Sequence, residues 1–261
     1  MALLRCDVDS AVLQMGTTIT VILPQDQETP FSTDPVEAGP PPPVLYLLHG
    51  NGDDATGWTR MTAVERYVAP LGLAVVMPQV GRSCYTDQVH GQRYGTFLTQ
   101  ELPYLVQQMF HVSTRPDETF VAGLSMGGYG AMRWALREPE RFAAVASMSG
   151  VLDMARVRAE GAAYREPALH AAFGDEDLSG TDADLLHLLA EAARSGQPLP
   201  ALYVSCGSRD SLYDDNVRFV AAAAALGIDI HSNFGPGGHE WPYWDKEIRN
   251  VLDWLPLTPR A

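Results

Sequence analysis

The sequence has 261 residues, of which 46% are hydrophobic and 19% are charged, a composition that predicts one folded domain over residues 1–261 and excludes a largely disordered chain. Its formal net charge of -14 repels nucleic-acid phosphates and anionic membrane surfaces, which argues against both as partners. The cysteines Cys6, Cys84 and Cys206 lack the spacing of a zinc site or a disulfide framework, so no metal is predicted.

The N-terminal part of the sequence predicts one strand followed by a long loop. Residues 1–7 lack the basic start and apolar run of a secretory signal, and no segment reaches the roughly 20 apolar residues that span a bilayer, so we expect a cytoplasmic protein. Thr17 to Leu23 is β-branched and apolar, which indicates a strand near one edge of a sheet. Residues 25–43 contain six prolines and therefore predict an exposed loop.

Beyond this loop, short apolar runs alternate with segments of helical periodicity. The apolar runs predict buried parallel strands at Val44–Leu48, Leu73–Met77, Thr119–Ala122, Ala143–Met148 and Ala201–Ser205. The helical pattern occurs at Thr62–Ala69, Thr96–Gln108, Met126–Arg137 and Asp214–Leu226. This alternation predicts an α/β protein with a doubly wound, mostly parallel sheet and helices on both faces.

Residues 151–199 interrupt this alternation with a stretch rich in Ala, Glu and Arg. Its pattern predicts two or three short helices. Two interpretations remain open: a small helical cap over the catalytic edge of the sheet, or an ordinary helical excursion packed beside the core.

A nucleophile motif, Gly123-Leu-Ser-Met-Gly127, follows the strand that ends at Ala122 and precedes a helix. A serine at such a sharp turn has a strained backbone, and side chains at both glycines would collide with the chain. Ser125 is thus the predicted nucleophile. The Met126 amide, at the helix N-terminus, is the predicted first donor to an oxyanion.

The second oxyanion donor is expected from the loop after an earlier strand. The sequence Leu48-His49-Gly50-Asn51 occupies that position, which indicates the amide of Asn51. His49 is interpreted as a structural residue that shapes the loop.

The general base and its orienting acid are expected after the nucleophile, in the order acid and then histidine. Of the seven histidines, His239 is favoured because it lies in a glycine-rich loop after a predicted strand at residues 228–234. Asp210 is the favoured acid because it directly follows the strand and turn at Ala201–Gly207. Asp214 and Asp215 remain alternatives, although their position is typical of the first turn of a helix.

Several motifs in one order carry a family resemblance, and they cover most of the chain. They are Tyr46-Leu-Leu-His-Gly50, Arg82-Ser-Cys-Tyr-Thr-Asp87, Thr96-Phe-Leu-Thr-Gln-Glu-Leu-Pro103, Gly123-Leu-Ser-Met-Gly-Gly128, Gly207-Ser-Arg-Asp210 and Gly238-His-Glu-Trp-Pro-Tyr-Trp244. The chain resembles the esterase D and tributyrin-esterase branch of the α/β-hydrolases, which includes feruloyl and acetyl-xylan esterases and mycolyltransferases.

The resemblance implies an α/β-hydrolase fold, a triad of Ser125, Asp210 and His239, and an oxyanion hole at Asn51 and Met126. It also implies that the loop with Tyr85 lies near the acyl pocket. S-formylglutathione hydrolases of this branch usually carry a cysteine-containing stretch after His-Gly, which this sequence lacks.

These observations predict a serine carboxylesterase that needs no cofactor and acts on a small ester of about two to six acyl carbons. Trp241, two positions after His239, is a candidate for substrate contact. Three alternatives stay open: a thioesterase like S-formylglutathione hydrolase, an acyltransferase that uses an alcohol acceptor, and an inactive binding protein of the same fold. A homo-oligomer is compatible with the sequence.

Overall fold

One eight-stranded sheet, with strand order β1-β2-β4-β3-β5-β6-β7-β8, organises the computed structural model, which describes residues 1–25, 39–160 and 166–258. The strands are β1 Ala2–Ser10, β2 Met15–Leu23, β3 Val44–Leu48, β4 Ala74–Pro78, β5 Thr119–Leu124, β6 Ala144–Met148, β7 Ala201–Gly207 and β8 His231–Gly235. β1 pairs antiparallel with β2 and β2 antiparallel with β4, whereas the other neighbours are parallel.

Helices connect the parallel strands. They are α1 Gly57–Met61, α2 Val64–Val68, α3 Tyr94–Thr96, α4 Leu102–Met109, α5 Met126–Arg137, α6 Met154–Glu160, α7 Glu166–Phe173, α8 Leu185–Ser195, α9 Tyr213–Ala225 and α10 Trp241–Trp254. A π-helical turn, Phe97–Glu101, joins α3 to α4. Within the described ranges, no helix has both the length and the apolar character needed to cross a membrane.

The sheet separates two hydrophobic cores, because successive side chains of a strand point to opposite faces. Tyr46 of β3 packs on the face covered by α4, α5 and α9, whereas its neighbour Leu47 packs on the face covered by α1, α2 and α10. β3 is buried at every residue, as expected for a strand covered on both sides. The predicted doubly wound α/β sheet is therefore confirmed.

Three of the described elements, β1, α1 and α10, are not among those predicted. α1 ends just before the helix predicted at Thr62–Ala69. β1 alternates half-buried and exposed residues up to its last residue, Ser10, which is buried. Its mixed charges obscure this period of two. α10 begins with Trp241-Pro-Tyr-Trp, where proline fits the first turn but the aromatic residues hide the helical period. The strand predicted at residues 228–234 is shorter, beginning at His231, and residues 26–38 of the predicted loop lie outside the described residues.

The carboxyl ends of four parallel strands bring the predicted site residues to one edge of the sheet. Asn51 follows β3, Ser125 follows β5, Asp210 follows β7 and His239 follows β8. In sheets of this kind the ligand site lies at that edge, because the loops after neighbouring strands converge there. The described part of residues 151–199 contributes α6, α7 and α8, in agreement with the predicted short helices.

Candidate active site

Ser125 lies in a strained turn between β5 and α5. Its backbone has φ 52° and ψ -115°, a region that costs a non-glycine residue on the order of 1–3 kcal/mol. The turn is held by hydrogen bonds from the Ser125 amide to the Met148 carbonyl at 2.9 Å and from the Val151 amide to the Ser125 carbonyl at 3.2 Å. The strain is thus maintained by β6 and the residues that follow it, beside the predicted nucleophile.

Close backbone approach explains the glycines on either side of Ser125. A Cβ on Gly123 would lie 2.3 Å from the Gly127 carbonyl oxygen, and a Cβ on Gly127 would lie 2.4 Å from the carbonyl oxygen of Leu48. Real Cβ atoms do not approach backbone this closely. The two glycines are therefore a steric requirement of the turn.

A continuous hydrogen-bonded chain joins the three residues that the sequence singles out. Ser125 Oγ lies 3.0 Å from His239 Nε2, and Asp210 Oδ2 lies 2.9 Å from His239 Nδ1. The side chain of Asp210 is fully buried, whereas that of His239 is 29% exposed. Because an ionised carboxylate only accepts, Nδ1 carries the proton that it donates to Asp210, which leaves Nε2 as the acceptor for the Ser125 hydroxyl.

The surroundings of Asp210 keep its carboxyl group ionised. Burial alone would raise its pKa, but hydrogen bonds from His239, the Leu212 amide and Ser149 outweigh that effect, so the pKa lies below its ordinary value. Leu212 N donates to Asp210 Oδ1 at 2.9 Å. An ionised Asp210 can hold the imidazole in one tautomer and stabilise its protonated form.

An apolar cavity of about 150 Å³ opens beside Ser125. Its lining residues are Asn51, Cys84, Ser125, Met126, Val151, Met154, Val157, Ala168, Leu169 and His239. The two predicted oxyanion residues, Asn51 and Met126, thus share the cavity wall with Ser125. A larger and more open groove of about 500 Å³ runs along Ala201 and Trp254, but Ser125, Asp210 and His239 do not line it.

Comparison with known proteins identifies the family of the chain. Residues 10–255 match the family model Esterase, described as "Putative esterase". The chain belongs to this esterase family. It is 29% identical to an acetyl esterase of Caldicellulosiruptor saccharolyticus, over 98% of each chain.

Two solved structures extend this likeness to the fold. FphF, a fluorophosphonate-binding serine hydrolase of Staphylococcus aureus, has a TM-score of 0.89 and 32% identity over 99% of each chain. The S-formylglutathione hydrolase FrmB of the same organism has a TM-score of 0.83 and 32% identity, over 97% of this chain and 98% of its own. The chain is a serine esterase of the α/β-hydrolase fold, as the sequence predicts.

The two predicted substrate contacts of the esterase lie outside the described cavity wall. Tyr85 is 1% exposed, and its hydroxyl donates to the His49 carbonyl oxygen at 2.9 Å. Trp241 packs edge-on against the rings of Trp58 and Trp244, at 5.5 and 5.3 Å between centroids. Sequence reasoning missed the wall residues from α6 and α7, since their only signal is an apolar position in a short helix.

The alternative acids have other partners in the esterase. Asp215 is buried and accepts hydrogen bonds from Arg156 at 2.6 and 2.5 Å, and it also pairs with Arg218. Asp214 is exposed in the first turn of α9. Neither is a described hydrogen-bond partner of His239.

His49, which lies in the same loop as Asn51, is uncharged and forms a hydrogen bond at each ring nitrogen. Its Nδ1 donates to the Gly50 carbonyl oxygen at 2.8 Å, and its Nε2 accepts from the Val80 amide at 3.3 Å. A second ring proton would break the bond to Val80. Burial is the main cause that lowers the pKa of His49 below its ordinary value.

This arrangement predicts a pH dependence of stability. Because the pKa of His49 is lower in the folded protein, the unfolded chain binds a proton more readily at acidic pH. Protonation therefore favours the unfolded state, and the free energy of unfolding falls as the pH drops below the unfolded pKa of about 6.5. We expect His49 to account for a loss of no more than about 1 kcal/mol between pH 6.5 and 5.5, since the unfolded histidine is already half protonated at pH 6.5. The free energy of unfolding from urea titration, measured at pH 7.5, 6.5 and 5.5, checks this.

The matched variants are His49→Asn, which keeps a donor near the Nδ1 position, and His111→Asn at an exposed histidine. His49→Asn should flatten the loss of stability below pH 6.5, whereas His111→Asn should retain the wild-type slope. An unchanged slope in His49→Asn would assign the acid sensitivity to other groups.

Proposed function

We propose that this esterase is a serine carboxylesterase that hydrolyses esters of short acyl chains, about two to six carbons long, through an acyl-enzyme on Ser125. One observation carries the proposal: the hydrogen-bonded chain from Asp210 through His239 to Ser125 Oγ ends at the wall of an apolar cavity. The likeness to a named acetyl esterase supports a small acyl group.

In the first half-reaction, Ser125 Oγ bonds to the carbonyl carbon of the ester while His239 Nε2 takes the hydroxyl proton. The carbonyl oxygen becomes an oxyanion, which accepts hydrogen bonds from the amides of Asn51 and Met126. The carbon–oxygen bond to the alcohol then breaks, and His239 returns its proton to the departing alkoxide. The acyl group remains on Ser125 as an ester.

In the second half-reaction, water replaces the alcohol. His239 takes a proton from the water as its oxygen bonds to the acyl carbon, and the same oxyanion site stabilises the second tetrahedral intermediate. The bond to Ser125 breaks and His239 returns the proton to Oγ. Asp210, which stays ionised, stabilises the imidazolium in both steps and does not itself take the proton.

The size of the cavity supports the chain length. A cavity of about 150 Å³ accommodates a group of about six carbons, since an engineered apolar cavity of that volume binds benzene. Each methylene that it accepts contributes about 0.8 kcal/mol, a gain of about fourfold in kcat/KM. Longer chains find no further burial.

We therefore expect kcat/KM on p-nitrophenyl esters to rise from two carbons to between about four and six, and to fall steeply by about ten. The measurement is a chain-length series, each ester kept below its micelle-forming concentration. A profile that rises toward long acyl chains, or activity that jumps at an oil interface, would instead support a lipase.

A matched pair of variants tests whether this cavity sets the preferred acyl-chain length. Met154, at the start of α6, lines the cavity and is 2% exposed, whereas Met109 on α4 is 40% exposed. Met154→Ala should move the optimum to longer chains by about two or three carbons, because the vacated volume accepts them. Met109→Ala should leave the profile unchanged.

The likeness to the S-formylglutathione hydrolase FrmB favours a thioesterase as the second candidate function. A formyl group, however, has no methylene to fill the apolar cavity. We expect kcat/KM on p-nitrophenyl butyrate to exceed that on S-formylglutathione, and the reverse order would favour the thioesterase. Products formed with added alcohol separate hydrolysis from acyl transfer.

For Tyr85 we propose an indirect role, because its hydroxyl bonds the backbone of the oxyanion loop at His49. Trp241 supports the ring of Trp244, so its proposed role is likewise to shape the site. A cytoplasmic location and homo-oligomers remain predictions from the sequence.

A further inference from the structure

Ser149 occupies an unusual position directly after β6. Its backbone φ is 50°, and its side chain is fully buried. Serine rarely adopts a positive φ, which persists only where the surroundings impose it. Here the Ser149 amide donates to the Ser205 carbonyl oxygen at 2.7 Å, which holds the hydroxyl at the carboxyl edge of the sheet.

The oxygen of the Ser149 hydroxyl accepts from two donors, the Cys206 thiol at 4.0 Å and the indole of Trp244. Trp244 Nε1 lies 3.2 Å from Ser149 Oγ, and because an indole nitrogen only donates, Ser149 is the acceptor in that bond. Its own proton is then free for an acceptor. Ser149 is also among the groups whose hydrogen bonds lower the pKa of the Asp210 carboxyl group.

Trp244 in turn contacts the base. Its ring stands edge-on to the imidazole of His239, with 4.9 Å between centroids and 89° between planes. One hydroxyl therefore bonds the ring against which His239 packs and also lowers the pKa of the acid beside His239.

We infer that Ser149 is a positioning residue: its hydroxyl donates to Asp210 and accepts from Trp244, and so fixes the carboxylate and the ring that together orient His239. This inference rests on the proposed function. Ser149 does not touch the reacting atoms, so its effect passes through Asp210 and His239.

The test is Ser149→Ala, with Ser147→Ala as the matched control. Ser147 lies on β6 two residues earlier, is equally buried, and its hydroxyl has no hydrogen-bond partner in the described part of the chain. Ser149→Ala should lower kcat on p-nitrophenyl butyrate by about tenfold or more, the loss expected for a hydrogen bond to a charged group. KM should stay within about twofold, and Ser147→Ala should match the wild type.

A double-mutant cycle separates positioning from a general structural effect. If Ser149 acts through Asp210, Ser149→Ala causes no further loss of kcat in an Asp210→Asn background. An equal fold-loss in both backgrounds would overturn the inference. Ser149→Gly, which accepts the positive φ without strain, should show the same loss of kcat as Ser149→Ala and gives the measurement if the alanine variant does not fold.

The outcomes distinguish this inference from the proposed function. Wild-type kcat in a folded Ser149→Ala or Ser149→Gly protein, together with an inactive Ser125→Ala protein, overturns only the role of Ser149. Failure of Ser149→Gly to fold overturns it as well, because Ser149 would then serve the fold. Full activity in Ser125→Ala would instead remove the proposed function.

Discussion

We expect Ser125→Ala to lower kcat on p-nitrophenyl butyrate by on the order of 10⁴- to 10⁶-fold, the loss typical when a serine hydrolase loses its nucleophile. Ser125 Oγ lies 3.0 Å from His239 Nε2, and alanine removes the atom that is proposed to form the acyl bond. Stability should not fall, because the strained backbone at Ser125 is held by main-chain hydrogen bonds that alanine retains.

A fluorophosphonate probe adds a direct readout, since it labels an activated serine covalently. Intact-protein mass should show one label on the wild type and on Ser147→Ala, and none on Ser125→Ala. Wild-type activity in Ser125→Ala would overturn the role of Ser125 as nucleophile. Folded wild-type protein that takes no label would favour an inactive binding protein of the same fold.

Asp210→Asn should have the second largest effect, a fall in kcat of about 10⁴-fold. An amide can present its NH₂ group to His239 Nδ1, which favours the tautomer whose proton sits on Nε2. That proton blocks acceptance from the Ser125 hydroxyl. Because the pKa of Asp210 lies below its ordinary value, owing mainly to the hydrogen bond from His239, the wild-type carboxyl group is ionised at neutral pH, where the effect is expected.

Asp214→Asn and Asp215→Asn are the matched controls. Asp214 is exposed, so we expect activity and stability close to the wild type. Asp215→Asn removes the charge that pairs with Arg156 and Arg218, which should lower the free energy of unfolding by about 1 to 3 kcal/mol with kcat largely retained. If either substitution abolished turnover at full stability, the role of Asp210 as orienter would be wrong.

The ion pairs of Asp215 also bear on substrate choice. Arg156 belongs to α6, which supplies Met154 and Val157 to the cavity wall. The ion pair of Asp215 therefore links this part of the cavity wall to α9. Without it, we expect the wall to move more freely and the enzyme to accept a wider range of acyl-chain lengths.

Local sequence was sufficient to predict the elements whose structure depends on residues that are neighbours in the chain. β3 was predicted at Val44–Leu48 and α5 at Met126–Arg137, and both have those bounds. The turn at Ser125 was predictable for the same reason. Its glycines are required by close backbone contacts, which arise wherever a strand turns sharply into a helix. β1 and α10 were not predicted, because charged residues mask the period of two in β1 and aromatic residues mask the helical period in α10.

By itself the sequence determined the α/β class and the esterase resemblance. It also predicted Ser125, His239 and Asp210 as site residues, with Asp214 and Asp215 as alternative acids. Only the tertiary structure decided which aspartate contacts His239, since Asp210 and His239 meet through the pairing of β7 with β8. The cavity and the link from Ser149 to Trp244 likewise arise from separate elements that pack together. Such contacts depend on distances in space, and the spacing of residues along the chain does not encode them.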